Sequence, residues 1–361
     1  MKILCVIDSL GSGGAQRQLV GLAIGFKERG HEVSFLTYHP INFYKELLDE
    51  VNIPVTTILE YNYLKRLFKM RHFIRSGKYE SVLSFLEAAN LICEISGFPF
   101  RKWKLVVGER SANPDILNSF KLKFYRWFHI FADYIVANSN ENILLIKRIN
   151  FILTNRKCKV IYNLVDENIW SSSSDYTPFK NDKLNILVAA SHQYLKNCKG
   201  LIEALNKLSE FEKSKIKIDW YGDESPDNSY SEALLLVEKY SLRNIISFHK
   251  ASKKIDQFMK QADLVALFSF YEGLPNVLCE AMVLGKPIIS SSVSDIPILL
   301  NDNLECVFDP RNNDEITKVL SFVLTLSNNE LSKLGNHNKN IGLLLFEKNK
   351  IVSKYLELLM N

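Results

Sequence analysis

The sequence predicts an α/β fold, two Rossmann-like doubly wound domains facing across a cleft. Three observations carry the α/β reading. Short apolar runs recur along the whole chain, and most are too continuously apolar to leave one face wet, which marks parallel strands covered on both sides. Helix-like segments separate the runs, as crossover connections require. The chain has 361 residues, more than one ordinary core and suited to two domains.

In the first half the strand-like runs are KILCVID (2–8), EVSFLT (32–37), PVTTI (54–58), SVLSF (81–85), KLVV (104–107), DYIVA (133–137) and KVIY (159–162). In the second half they are LNILVAA (184–190), IKIDWY (216–221), IISFH (245–249), DLVALF (263–268), PIISS (287–291) and ECVF (305–308). The periodicity breaks at NLVDENIWSSSSDYTPFKND (163–182), where four serines, a proline and several Asn and Asp residues gather. Domains are therefore expected at 1–165 and 183–343, joined by a linker over 166–182. LLLFEKNKIVSKYLELLM reads as one C-terminal helix, assigned to 344–361 and returning to the first domain. A cleft between domains is the natural ligand site.

Hydrophobic content of 47% and charged content of 24% are globular values. No apolar run approaches the roughly 18 residues of a membrane span. MKILCVIDSL is interrupted by Asp8 and reads as a first strand, not a secretory signal. The six cysteines are scattered without a C-x-x-C pair, which suits single buried thiols in a reducing cytosol. The net charge of +5 hides an asymmetry. Residues 1–163 carry 23 Lys and Arg against 14 Asp and Glu, and the remainder 22 against 26. A basic first half suits an anionic partner: a membrane surface, a phosphate-bearing substrate or nucleic acid.

SLGSGGAQRQLVGLA (9–23) follows the first strand, with Gly11, Gly13 and Gly14 directly before a helix. Glycines permit tight turning and close approach to a ligand, and a helix N-terminus favours an anion. A loop that merely turns the chain is the plainer reading. A dinucleotide fingerprint matches poorly, because Gln16 stands where its third glycine belongs and no acid ends the second strand. A Walker P-loop is absent.

In the second half, SHQYLKNCKGLIEAL (191–205) places Lys196 and Lys199 between a strand and a helix. A lysine at a parallel strand's C-terminal end suits a diphosphate, and a solvated surface charge is the alternative. FYEGLPNVLCEAMVLGKP (270–287) sets Glu272 in a loop, Asn276 at an expected N-cap and Glu280 in the first turns of a helix that Gly285 and Pro287 end. Amides around Asn276 and Val277 suit phosphate, and a carboxylate suits vicinal ribose hydroxyls.

At this stretch the chain resembles the retaining glycosyltransferases of the GT-B fold, in particular the large family 4. E-G-L-P-N-V-L-C-E is similar to their glutamate-x7-glutamate motif. GSGGAQ, VIYNLVD, LKNCKGLIEAL and VSDIPILL resemble their other landmarks in the same order. The resemblance implies that Glu280 holds the nucleotide ribose, Glu272 contacts the donor sugar, Lys196 holds the diphosphate, and Gly13 and Gly14 let the first loop close on the donor. The chain departs from the pattern in three places. The arginine usual before the lysine is missing, Gln16 replaces a glutamate, and Ser294 and Asp295 replace two glycines.

The reaction implied is sugar transfer from a nucleotide-sugar donor, with the leaving diphosphate stabilised by cations and helix N-termini. No D-x-D motif occurs, and the resemblance implies neither a metal nor another cofactor. Glu109 and Arg110, in KLVVGERSANPD, are the acceptor-side catalytic candidates, and an ion pair with a neighbouring loop is the alternative. YNYLKRLFKMRHFIRSGKY (61–79) interleaves Lys65, Arg66, Lys69, Arg71, Arg75 and Lys78 with apolar residues, and RKWK and NSFKLKFYRWFHIF add more. That composition suits a helix on an anionic bilayer, or an ordinary helix with a solvated basic face. No nucleic-acid recognition fold appears. The combined expectation is a retaining transferase, cytoplasmic and peripheral on the inner face of the cell membrane. It would use a nucleotide-sugar donor, expected to be UDP-linked, to extend a polyprenyl-diphosphate-linked or other glycan acceptor for a surface polysaccharide such as lipopolysaccharide. A nucleotide-sugar epimerase and a non-catalytic partner subunit are the alternatives.

Overall fold

The structure, a computed structural model, describes residues 1–171 and 182–361. Most of the serine-rich linker expected at 166–182 lies outside the described residues. Two compact units divide the chain: Met1–Leu164 with Glu347–Asn361, and Val165–Phe346.

The first unit holds seven parallel strands: β1 (Lys2–Val6), β2 (Glu32–Thr37), β3 (Val55–Thr57), β4 (Ser81–Phe85), β5 (Lys104–Glu109), β6 (Tyr134–Ala137) and β7 (Cys158–Val160). Their order is β3-β2-β1-β4-β5-β6-β7. Successive residues of a strand point to opposite faces. Ile3 and Cys5 accordingly join one core layer with Phe26 and Phe35, while Leu4 and Val6 join another with Val82 and Leu105. Both faces are dry, which is why the strands read as continuous apolar runs.

The C-terminal segment read as one helix is two. Helix Asn328–Phe346 ends before Glu347, whose ψ of 124° breaks the helical path, and helix Lys348–Met360 starts after it. Ile351, Val352, Tyr355, Leu356 and Leu359 complete the core layer that holds Leu19, Ala23 and Phe26 of helix Gly14–Glu28. Arg29 donates to Ser353 Oγ and to the Asn349 carbonyl, each at 2.7 Å.

The second unit holds β8 (Leu184–Ala189), β9 (Ile216–Tyr221), β10 (Ile246–His249), β11 (Leu264–Leu267), β12 (Ile288–Ser291) and β13 (Val307–Phe308). They form a parallel sheet in the order β10-β9-β8-β11-β12-β13. β13 starts two residues later than read, because Asn301–Cys306 is a 3₁₀ segment. Helix Asn276–Leu284 is buried at every position from Val277 to Leu284, as a helix apolar on all sides must be. It ends at Gly285, whose φ of 74° is the left-handed cap that glycine alone adopts without cost. Helix Asn328–Phe346 crosses it so closely that a Cβ at Gly335 would lie 2.2 Å from the Gly285 carbonyl oxygen.

All six cysteines are free and buried. Among the described residues, no helix is long and apolar enough to cross a membrane.

Candidate functional site

In each sheet the strand order reverses once, between β1 and β4 and between β8 and β11. The loops leaving such a pair of strands diverge and open a crevice at the C-terminal edge, where ligands of doubly wound sheets bind. Both loops at the reversal of the second unit carry charge predicted to be functional.

The loop after β8 makes a 3₁₀ turn over Tyr194–Lys196. Asn197 follows with φ 56°, a left-handed conformation that Asn tolerates. Its side chain accepts from the Gly200 amide at 3.1 Å and donates to the Pro310 carbonyl at 2.7 Å, anchoring the turn. The loop after β11 is tied to it by the Phe270 amide, which donates to the Leu195 carbonyl at 2.9 Å, and by the Tyr194 ring on Phe270. Lys196 Nζ then lies 2.5 Å from Glu272 Oε1, and Ser269 Oγ donates to the same oxygen at 2.7 Å. The two side chains are 17% and 14% exposed, so the pair is largely but not wholly withdrawn from water.

Helix Asn276–Leu284 begins beside this pair in sequence. Pro275, not Asn276, occupies the N-cap position, and no side chain caps the helix. That corrects the expected cap: Asn276 is the first helical residue. Its amide and that of Val277 are among the first-turn N–H groups that find no acceptor within a helix. Glu280 stands one turn further on and is 5% exposed. Ser294, where the family pattern has glycine, has φ 54°, and its hydroxyl donates to the Gly273 carbonyl. The serine thus holds the loop that carries Glu272. Arg311, missed by sequence reasoning, has its guanidinium 5.7 Å from the Phe270 ring centre. An isolated arginine after a short edge strand offers no sequence signal.

At the reversal of the first unit, Gly13 is the N-cap of helix Gly14–Glu28, with φ −69° and ψ 157°. Any residue can adopt that conformation, so the turn itself does not demand glycine. A Cβ there would meet only the flexible Gln16 side chain. Gln16 Nε2 donates to Asp8 Oδ1 at 2.9 Å. A glutamate carboxylate at this position could not donate to Asp8. Across the reversal, Leu86 follows β4 with φ 76° and ψ 148°, a conformation nearly confined to glycine.

Glu109 ends β5, and the structure corrects its expected presentation to a ligand. It is 3% exposed, and both oxygens are engaged: Oε2 by Arg126 at 2.7 Å and Oε1 by His129 Nε2 at 3.0 Å. The other imidazole nitrogen lies 2.7 Å from buried Glu94. Burial opposes charge on His129, but the two carboxylates outweigh it and raise its pKa to about 9. Burial likewise opposes charge on Glu109, and Arg126 and His129 outweigh it and hold its carboxyl below the ordinary range. Arg110 lies with its guanidinium 3.8 Å from the Phe85 ring centre and donates to Asn163 Oδ1 and the Tyr355 hydroxyl.

The basic helix Tyr63–Ser76 is less free than its composition implies. Arg71 and Arg75 donate to carbonyls between Ile95 and Phe100, at the end of helix Glu87–Ser96. Lys69 pairs with Glu60, and Arg66 lies over the Tyr38 and Tyr63 rings. Leu64 and Phe68 remain exposed.

Two parallel, doubly wound units of this form are the GT-B architecture of glycosyltransferases. The description "Glycosyltransferase Family 4" matches residues 12–169, and "Glycosyl transferases group 1" matches residues 172–341. The chain belongs to this glycosyltransferase family. It is 25% identical to a Campylobacter jejuni GalNAc-alpha-(1->4)-GalNAc-alpha-(1->3)-diNAcBac-PP-undecaprenol alpha-1,4-N-acetyl-D-galactosaminyltransferase, over 99% of this chain and 98% of that protein. A second C. jejuni enzyme, N-acetylgalactosamine-N,N'-diacetylbacillosaminyl-diphospho-undecaprenol 4-alpha-N-acetylgalactosaminyltransferase, is 25% identical over 80% of each chain. Among solved structures, Anabaena Alr3699/HepE in complex with UDP and glucose superposes with a TM-score of 0.87 at 20% identity, over 100% of both chains.

Proposed function

We propose that this protein is a retaining, metal-independent glycosyltransferase that moves a sugar from a UDP-sugar to a polyprenyl-diphosphate-linked glycan. The single observation that carries the donor reading is the Lys196–Glu272 pair at the strand reversal of the second unit. Without donor, each charge satisfies the other. With donor, Lys196 turns to the diphosphate and Glu272 is released to the sugar hydroxyls. The amides of Asn276 and Val277 add positive potential at the phosphates. Glu280, a turn deeper, accepts the ribose hydroxyls. Gly13 and Gly14 stand at the N-terminus of helix Gly14–Glu28, at the strand reversal of the first unit, where an anion is favoured.

The chemistry is the breaking of the anomeric C–O bond, whose electron pair leaves with the diphosphate. An acceptor hydroxyl adds to the same face, and its proton passes to the departing phosphate oxygen. Lys196 stabilises the charge that develops on that oxygen, which is where preorganised cations contribute most. Arg110 is the acceptor-side cation in this reading. Glu109 acts through Arg126 and His129, fixing the end of β5 from which Arg110 projects, and is a positioning residue.

The acceptor class is supported by the two C. jejuni relatives, whose names specify undecaprenol-linked diphosphate substrates. Such an acceptor places the protein peripherally on the cytoplasmic face of a membrane, with exposed Leu64 and Phe68 beside Lys65 as one contact. The deciding experiment incubates purified protein with UDP-, GDP- and ADP-sugars and a polyprenyl-diphosphate glycan. Mass spectrometry reads the product. One added hexose or N-acetylhexosamine from a UDP-sugar is the expected result. Turnover of free nucleotide sugar without acceptor would instead identify an epimerase.

A further inference from the structure

At the opposite end of the first unit's sheet, the strands begin in a basic cavity. β5 opens with Lys104, β6 with Tyr134 and β7 with Cys158 and Lys159. Glu109 closes the same strand that Lys104 opens, so by strand rise this edge is about 17 Å from the edge discussed above. The cavity has a volume of about 390 Å³ and is lined by Lys104, Asp133, Tyr134, Arg156, Lys157 and Lys159.

Four of those six residues are cations, and the one acid is already committed. Asp133 Oδ2 accepts from Arg101 and from the Leu105 amide, each at 2.7 Å. Lys157 is locked in place by the Ile130 and Ala132 carbonyls, at 2.7 and 2.9 Å. Lys104 is already engaged as well, donating to a main-chain oxygen of the last residue, Asn361, at 2.7 Å. The side chains of Arg156 and Lys159, by contrast, have no hydrogen-bonding or ionic partner among the described residues. Cations gathered in one cavity repel each other, and burial disfavours the charge of Lys157 further, lowering its pKa. An anion that accepts from several donors at once removes the repulsion.

We infer that this cavity is a second anion site, built to take a phosphate or diphosphate group between Arg156, Lys159 and Lys104. Arg156 supplies a planar fork suited to two phosphate oxygens, and the lysines supply point charges. Lys157, held by two carbonyls, fixes the floor. The group can arrive on a soluble molecule or on a lipid headgroup; the chemistry is the same. The site rests on the first unit alone and does not depend on the donor or acceptor assigned above.

Amine-reactive footprinting of the full chain, read residue by residue by mass spectrometry, tests it. Labelling of Lys104 and Lys159 is compared in pyrophosphate and in chloride of equal ionic strength. A companion arm uses vesicles of neutral lipid with and without phosphatidic acid. A bound phosphate group should slow labelling of both lysines about threefold or more, because it engages their donors. Exposed Lys239, on the second unit, serves as the control. Protection by pyrophosphate alone identifies a soluble ligand, and protection by phosphatidic acid vesicles identifies a headgroup. Arg156→Ala should remove most of the protection without altering Lys239. The inference is overturned if neither arm slows Lys104 and Lys159 beyond the control. It is equally overturned if Arg156→Ala, folded by circular dichroism, is protected as well as the parent protein.

Discussion

Lys196 Nζ lies 2.5 Å from Glu272 Oε1, so the two charged groups of the candidate donor site neutralise each other across the strand reversal of the second unit. Truncating either leaves its partner largely buried and unpaired. Lys196→Ala and Glu272→Ala should each lower kcat/KM for sugar transfer by about 100-fold, the scale of losing one preorganised charge at a developing oxyanion. Because they act as a unit, the double variant should lose much less than the product of the two single losses. Initial rates with saturating acceptor read this directly. Fully multiplicative losses would mean that the two residues act independently.

Glu280 is assigned to the nucleotide and not to the reacting carbon. Glu280→Ala should therefore weaken UDP binding by about tenfold or more, as expected for losing hydrogen bonds to a charged acceptor. Titration calorimetry with UDP alone measures it, with no sugar or acceptor present. An unchanged Kd in a folded variant removes Glu280 from the ribose.

The sheets were legible because both faces are buried. Runs such as SVLSF (81–85) and IKIDWY (216–221) coincide with β4 and β9 residue for residue. The edge that carries Lys196 and Glu272 was legible for a related reason. A loop between an apolar strand and an apolar helix has few places to go, and charged residues in it stand at the sheet edge. Glu109 was not legible in the same way. Its strand position was readable, but its partners Arg126 and His129 come from a segment 17 and 20 residues on. Only the fold brings that segment under β5. The same applies to Arg71 and Arg75, which read as a solvated face and instead satisfy carbonyls at a helix end. Glu347 was missed because nothing local marks it. The residues on either side are good helix formers, and the break reflects the packing of Lys348–Met360 on the first unit.

The contact between Gly335 and Gly285 is a packing constraint that no active-site reading includes. Gly335→Ala places a Cβ 2.2 Å from a main-chain oxygen that the left-handed cap of helix Asn276–Leu284 cannot easily move. The cost should be about 1–3 kcal/mol, the usual range for overpacking. A lowered melting transition is expected, together with weaker UDP binding, since the displaced helix carries Glu280. Gly30→Ala is a contrasting control, because its Cβ would meet nothing and only its φ of 81° is at issue. Equal melting temperatures for Gly335→Ala and the parent would show that the two helices can separate at no cost.

The buried network of Glu94, His129, Glu109 and Arg126 makes the first unit sensitive to alkali. His129 has an ordinary pKa of 6.5 that is raised to about 9 in the fold, against the opposing effect of burial, by Glu94 and Glu109. The sign follows from proton binding. Below pH 6.5 the imidazole is charged in both the folded and unfolded chain, and its full stabilising contribution is present. As pH rises from 6.5 to about 9, only the folded state keeps the proton, and the contribution is progressively lost. Glu94, raised by burial, acts in the same direction at lower pH. Glu109 is held low and acts oppositely, losing its contribution only as pH falls below the carboxylate range. Arg126 stays charged throughout and faces Glu109 and Glu87. Over the alkaline window the first unit should lose on the order of 3 kcal/mol. Hydrogen exchange of the β5 amides from Leu105 to Val107, corrected for the intrinsic dependence on pH, reports this locally. In His129→Gln the protection should be lower at neutral pH, because two buried carboxylates lose their shared cation. Between pH 6.5 and about 9 it should then be nearly flat. A parent protein whose β5 protection is itself flat over that window would show that His129 does not carry a proton between Glu94 and Glu109.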